Sequence, residues 1–297
     1  MRIPSNRIED IINFYKKELK GFYAEGELNE LISMSFNFVL GFSKSELILK
    51  KNENVLQSDL LKLNFICKDL KRQKPIQYIL GEAEFCGLQF KVNESVLIPR
   101  PETEELVHLV LKYVSEYKIE EPKILDVGTG SGCIGISLKK KLAYASITAI
   151  DVSEDALSVA KSNANLLKSE VSFLLADALQ LSQVKDLNVP DILVSNPPYI
   201  ARAEQKKMSD NVLKYEPHLA LFSHDQDAII FYRVMISYAK QNAVKALFFE
   251  LNPDYASEVL ALAEESGFKA EIIRDINGHQ RFLRAICSQV NLISAEN

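Results

Sequence analysis

The sequence predicts an α/β protein, a doubly wound, mainly parallel seven-stranded sheet preceded by an N-terminal helical bundle and a linking β-hairpin. Three observations lead there. After Glu121-Pro122, apolar strand-length runs alternate with helical-period segments, the pattern of a parallel sheet with crossover helices. The stretch Gly128-Thr129-Gly130-Ser131-Gly132 lies between the first of these strands and the helix that follows. Before residue 75 the only periodicity is helical. The expected division is 1–75 for the bundle, 76–100 for the hairpin and 101–297 for the sheet domain.

Composition narrows the function classes. With 35 Lys+Arg against 40 Asp+Glu, the net charge of −5 implies no dominant phosphate-tracking surface, and no direct nucleic-acid binding is expected. The cysteines Cys67, Cys86, Cys133 and Cys287 are scattered, with no C-x-x-C pair and no His at ligand spacing, which argues against zinc and against a disulfide framework; no metal is expected. No run approaches the roughly 20 apolar residues that span a bilayer, and Met1 to Phe22 lacks a signal-peptide core. A cytoplasmic monomer without a membrane partner is expected.

The elements follow in order. Ile8, Ile11, Ile12, Tyr15 and Leu19 make one apolar stripe, and Leu28, Leu31, Ile32, Phe36 and Leu40 another. Ser43-Lys44-Ser45-Glu46 has the form of a capping box, and a fourth helix is expected near Ser58 to Gln73. The bundle holds no catalytic constellation; it reads equally as a recognition domain or as a brace. From Gln77 to Arg100 the period changes to alternation around Gly87, as in a hairpin. Pro101 suits a helix's first turn, where Glu102 and Glu104 complement the dipole. Strands are expected at Lys123–Val127, Ser146–Ile150, Val171–Leu175, Asp191–Ser195, Ala246–Glu250, Phe268–Asp275 and Arg281–Cys287. The main helices between them are expected at Cys133–Leu142, Glu154–Lys168, Ala228–Gln241 and Tyr255–Ser266.

The glycine loop is where backbone can approach a ligand closely. Gly130, Gly132 and Gly135 also satisfy G-x-G-x-x-G, a weak dinucleotide signal on its own. Asp126 separates the readings. A carboxylate beside the loop would repel a pyrophosphate but suits a ligand bearing an ammonium group, such as S-adenosylmethionine. Asp151 and Asp177, at the ends of the next two strands, could accept hydrogen bonds from ribose hydroxyls and from an adenine amino group. Each could equally be a helix N-cap. Three such residues around one glycine loop favour the ligand.

The fourth strand stops at Asn196-Pro197-Pro198-Tyr199, because consecutive prolines cannot continue a ladder. Asn196, before a proline, is extended. Its carboxamide is thereby held at the carboxyl end of the sheet.

With Asp126 to Gly132, Asp151 and Asn196-Pro197-Pro198-Tyr199 in this order, the last 200 residues resemble a class I S-adenosylmethionine-dependent methyltransferase with a Rossmann-like sheet. Pro75-Ile76-Gln77-Tyr78-Ile79-Leu80-Gly81, Ile98-Pro99-Arg100-Pro101-Glu102-Thr103-Glu104, Tyr215-Glu216-Pro217-His218 and Gly278-His279-Gln280-Arg281-Phe282 are similar to the bacterial release-factor glutamine methyltransferases, the PrmC/HemK family. The resemblance implies S-adenosylmethionine as cofactor, class I peptide chain release factors as partners, and methylation of the N5 amide of a glutamine in a Gly-Gly-Gln motif. It implies catalytic roles for Asn196, Pro197 and Tyr199. Cofactor binding falls to Asp126, Gly128, Thr129, Gly130, Ser131, Gly132, Asp151, Asp177, Ala178 and Asn196. Substrate binding falls to Asn196, Pro197, Pro198, Tyr199, Arg100 and Glu102.

The chain departs from the family pattern at Asn252 and Tyr255 after the fifth strand and at Ala178, a position often aromatic. His108, His218, His224 and His279 have no required role. A ribosomal-protein glutamine methyltransferase, a DNA adenine-N6 methyltransferase and a non-catalytic S-adenosylmethionine-binding regulator are the alternatives. The DNA enzyme would need a basic cleft that the acidic balance does not suggest.

Overall fold

The computed structural model describes residues 3, 5–185, 187–200, 205, 208–223 and 227–288; His224 lies outside them. The chain divides into two compact units, Met1–Glu82 with Asp210–Tyr215, and Ala83–Ser209 with Glu216–Asn297.

The first unit is helical: α1 (Ile8–Glu18), α2 (Glu25–Leu40), α3 (Lys44–Leu49), α4 (Gln57–Leu70), α5 (Ile76–Leu80) and the later α9 (Asp210–Tyr215). Its core joins Ile8, Ile11, Tyr15, Leu31, Phe36 and Leu63. Burying Tyr15 requires a partner for its hydroxyl, which donates to the Leu63 carbonyl at 2.5 Å. Ser43 and Glu46 form the capping box at the start of α3. Alternation is not what organises 76–80. This segment is a short helix that starts after Pro75 and stops where Gly81 turns left-handed at φ 77°.

The second unit opens within the hairpin β1 (Glu82–Phe85) and β2 (Leu88–Lys91), whose first residue closes the first unit and whose turn residues Cys86 and Gly87 both have positive φ. Then follow α6 (Pro101–Glu116), β3 (Lys123–Val127), α7 (Cys133–Lys141), β4 (Ser146–Asp151), α8 (Glu154–Leu166), β5 (Ser172–Leu175) and β6 (Ile192–Ser195). After these come α10 (His218–Leu221), α11 (Ile230–Gln241), β7 (Ala246–Glu250), α12 (Ala256–Glu265), β8 (Phe268–Arg274) and β9 (Gln280–Cys287). A 3-10 turn over Ala178–Gln183, unforeseen from periodicity, follows β5.

Seven strands form one sheet in the order β5-β4-β3-β6-β7-β9-β8, parallel except that β9 runs antiparallel to both neighbours. Apolar clusters cover both faces, one under α6 and α7, the other under α11 and α12. β4 and β5 extend the sheet to one side of β3, and the chain then returns to lay β6 on the other. β3 and β6 therefore flank the topological switch point, where ligands bind in such sheets. Their register pairs Val127 with Ser195, and Val127 also pairs with Ile150 of β4. Three strand ends are thus level at the site.

Candidate active site

Beyond these strand ends lies a cavity of about 300 Å³. Gly128 and Gly130, Asp151, Asp177 and Ala178, and Asn196, Pro197 and Pro198 line it. Sequence reasoning missed Ser95, Val96 and Leu97 on one wall and Ala156, Leu179 and Phe231 on others. No Lys or Arg lines it among the described residues.

The glycine loop is built from beneath. Asp126, fully buried, accepts from Thr129 Oγ1 at 2.6 Å and from the Gly135 amide at 3.0 Å, both on Oδ2. Its Oδ1 has no hydrogen-bond partner among the described residues. Burial pushes the carboxyl up to about 6, against the lowering effect of these two donors. Thr129 and Ser131 are buried as well, and neither they, Asp126 nor Gly132 line the cavity. Gly132 turns into α7 at φ 82°, where a β-carbon would come within 2.8 Å of Ile136 and 3.2 Å of Ala160. Gly135 lets α7 sit directly on Asp126, since a β-carbon there would lie 3.1 Å from Oδ2.

Asp151 ends β4 and accepts from the Gly130 amide and the Ser153 amide, each at 2.9 Å. Its carboxyl is raised, chiefly by burial. Asp177 accepts from the Leu179 amide at 2.8 Å and caps the 3-10 turn, so the capping reading and the cavity position coexist in one residue.

The Asn196 segment rests on a polar network. Asn196 Nδ2 donates to Thr103 Oγ1 at 3.1 Å, and Thr103 Oγ1 donates to Glu250 Oε2 at 2.7 Å. Tyr199 Oη donates to Glu250 Oε1 at 3.2 Å. The Tyr199 carbonyl accepts from Asn252 Nδ2 at 3.2 Å, so the departure at Asn252 supports this segment. Tyr199 does not line the cavity; its ring packs against the α11 face, and burial, then the Glu250 charge, raises its hydroxyl pKa. Arg100 pairs at 2.5 Å with Glu216, which is 3% exposed and accepts from the Ile98 amide at 3.4 Å. Glu102 is half-buried in the first turn of α6.

Sequence reasoning also missed Thr103, Glu250 and Asn163. Glu250 carries the same signal as Asp151, an acid closing an apolar strand. Asn163 is a polar residue on the apolar stripe of α8 with Ala156, Ala160 and Ala164. It accepts from the Lys91 amide at 2.7 Å and donates at 2.9 Å to both the Lys91 and Ser131 carbonyls.

Residues 107–220 match the family model described as methyltransferase small domain. Among solved structures, the hMettl16 catalytic domain in complex with MAT2A 3'UTR hairpin 1 is similar at a TM-score of 0.56 and 14% identity, covering 90% of this chain and 92% of that one; the likeness is one of fold. The chain is 36% identical to the release factor glutamine methyltransferase of Bacteroides thetaiotaomicron, over 93% of its length and 98% of the relative's. It is 42% identical to that of Flavobacterium psychrophilum, over 91% and 95%. At such identity over nearly the whole of both chains, the chain belongs to the release factor glutamine methyltransferase family.

Proposed function

We propose that this methyltransferase transfers the methyl group of S-adenosylmethionine to the N5 amide nitrogen of the glutamine in the Gly-Gly-Gln motif of class I peptide chain release factors. The observation that carries the reading is the cavity itself, which runs from carboxylate-backed glycines to Asn196-Pro197-Pro198.

The donor set fits this cofactor. Among the described residues the cavity wall holds the Asp151 and Asp177 carboxyl groups and no basic side chain, and Asp126 Oδ1 stands unpartnered under the loop. Such a site favours a cationic nucleoside over a phosphorylated one. Asp151 would take the ribose, Asp177 and Ala178 the adenine side, and the backbone of Gly128 to Gly132 the amino-acid end. Asp126, Thr129, Ser131 and Gly132 would serve by fixing the loop. When bound, S-adenosylmethionine supplies an electrophilic methyl group on a sulfonium.

The chain's own work is to prepare the nitrogen. An amide nitrogen is a poor nucleophile because its lone pair is delocalised into the carbonyl, and no side chain removes its proton at neutral pH. Orientation therefore matters more than a general base. Asn196 Oδ1 and the Pro197 carbonyl would each accept one N–H of the glutamine, favouring positive charge that grows on nitrogen as the methyl carbon's bond to nitrogen forms and its bond to sulfur breaks, the electron pair staying on sulfur. The surplus proton leaves after transfer. Pro198 would border the planar amide, and Tyr199, held on Glu250 outside the cavity, would fix these acceptors from behind. Arg100 and Glu102 would border the substrate's approach, Arg100 with Glu216 behind it.

Incubation of the purified enzyme with methyl-labelled cofactor and a class I release factor tests the reading. Label should enter the wild-type factor and be absent when the glutamine of its Gly-Gly-Gln motif is replaced by alanine. Equal labelling of the two, or of neither, removes the substrate assignment.

A further inference from the structure

We propose that Thr103 and Glu250 are positioning residues that fix which way the Asn196 carboxamide faces. The proposal rests on the reading that Asn196 Oδ1 accepts a substrate N–H, and it explains how that oxygen is kept available.

An asparagine amide is nearly symmetric in shape. Rotated by half a turn, it exchanges an acceptor for a donor at almost no steric cost. For Asn196 the donor accounting removes the choice. Glu250 closes β7 at 2% exposure with the Thr103 hydroxyl on one carboxylate oxygen and the Tyr199 hydroxyl on the other; ionised, it can only accept from both. Thr103, also 2% exposed, has one hydroxyl hydrogen and spends it on Glu250 Oε2 at 2.7 Å. What Thr103 then presents to Asn196, 3.1 Å away, is lone pairs alone. The group facing them must be the NH2, which leaves Oδ1 facing away from Thr103. In the opposite orientation two oxygens would confront each other out of water, an arrangement with no compensating bond.

The same carboxylate holds the other end of the segment. Tyr199 Oη donates to Glu250 Oε1 at 3.2 Å, so each carboxylate oxygen receives a hydroxyl, one from α6 and one from the Asn196 segment. The charged and titratable groups facing Glu250 are Arg281, Glu102, Tyr199 and Tyr232, the last donating at 2.8 Å to the Glu250 backbone carbonyl. Burial, the largest effect, raises the Glu250 carboxyl above its ordinary value, while the Thr103 hydroxyl, Arg281 and the Tyr199 hydroxyl favour the ionised form; Arg281 is itself anchored by Asp275 at 3.2 Å. None of these groups donates to Thr103 in its place. Polarity thus runs one way, from Asn196 through Thr103 to Glu250.

Two measurements test this. The first needs no substrate: the Asn196 side-chain NH2 resonance of protein labelled with 15N-asparagine, assigned by its loss in N196A. Its hydrogen exchange should be slow in wild type and T103S and at least about tenfold faster in T103V, as a donor losing its buried acceptor requires. The second is kinetic. T103V should lower kcat roughly 10–100-fold, the scale of outer-shell partners, with cofactor Kd little changed and Tm lowered because Glu250 Oε2 and the Asn196 NH2 lose buried partners. T103S should restore both kcat and Tm. In an N196A background T103V should cost nothing further, because a residue acting through another loses its effect when that other is gone. Unchanged exchange in T103V, or multiplicative losses in the double variant, would overturn the proposal. A wild-type enzyme that leaves release factor unlabelled would sink the substrate reading alone, and the exchange measurement would still decide the orientation.

Discussion

The Asn163 carboxamide joins the Ser131 carbonyl of the glycine loop at 2.9 Å, from a helix 32 residues further along the chain. The same side chain closes two bonds on Lys91 of β2, so one buried amide ties hairpin, loop and α8 together. Removing it in N163A leaves an N–H and two carbonyls without partners. Each unsatisfied buried group costs about 1–3 kcal/mol. Part of that is recovered by relaxation, and a loss of roughly 2–4 kcal/mol in urea unfolding is expected. Cofactor affinity should fall with it, because Ser131 lies in the loop. Unaltered unfolding in N163A would show that the three bonds contribute nothing net.

N196A should act on chemistry. Loss of one preorganised polar group at the reacting nitrogen is expected to lower turnover by roughly 10²-fold or more. Cofactor binding, measured by calorimetry, should change little. Near-normal methyl transfer in a single-turnover assay would remove Asn196 from the role assigned to it.

These residues show what sequence makes legible. The central strands β3, β6 and β7 are visible because each is an apolar run buried on both faces, and the loop because only glycine tolerates its backbone. Asn196 is visible because Pro197 and Pro198 break the strand around it. Helix α5 is hidden: five residues between Pro75 and Gly81 are too few for a period to declare itself. The network under Asn196 is hidden for another reason. Thr103 and Glu250 meet across 147 residues of sequence, and nothing local marks either as the other's partner. Asn163 is similarly silent, although a polar residue on an otherwise apolar helix stripe is a usable sign.

Arg100 and Glu216 give a stability prediction. R100M strands a carboxylate that is 1% exposed, while the Arg100 side chain itself is 36% exposed, so solvent screens part of the pair. An expected loss of roughly 1–3 kcal/mol, below that of a wholly buried pair, follows. E216Q, which keeps an oxygen for the Ile98 amide, should cost less. If R100M melts as wild type does while substrate KM rises, Arg100 serves the substrate and not Glu216.

Asp126 predicts a pH dependence. Its carboxyl titrates near 6 in the folded protein, against 3.8 for an unperturbed Asp, because burial disfavours the charge. An acid whose folded pKa is raised binds its proton more tightly in the native state. Its favourable contribution is therefore complete below about pH 4 and is lost as pH rises through about 6. At 1.4 kcal/mol per pKa unit the loss is on the order of 3 kcal/mol. D126N is a suitable comparison, since an amide oxygen can still accept from Thr129 and Gly135 while its NH2 takes the place of Oδ1, which has no partner to lose. Asp151, raised in the same direction, is present in both proteins, and only its repulsion with Asp126, which acts with the same sign, enters the difference. Unfolding free energies measured by urea from pH 4 to 7 should show wild type falling relative to D126N across that window. Saturating S-adenosylmethionine should flatten the slope in wild type alone, because a cation near the loop favours the ionised carboxylate. Parallel profiles for the two proteins would mean that Asp126 is already ionised at pH 4 and that its neighbours offset burial in full.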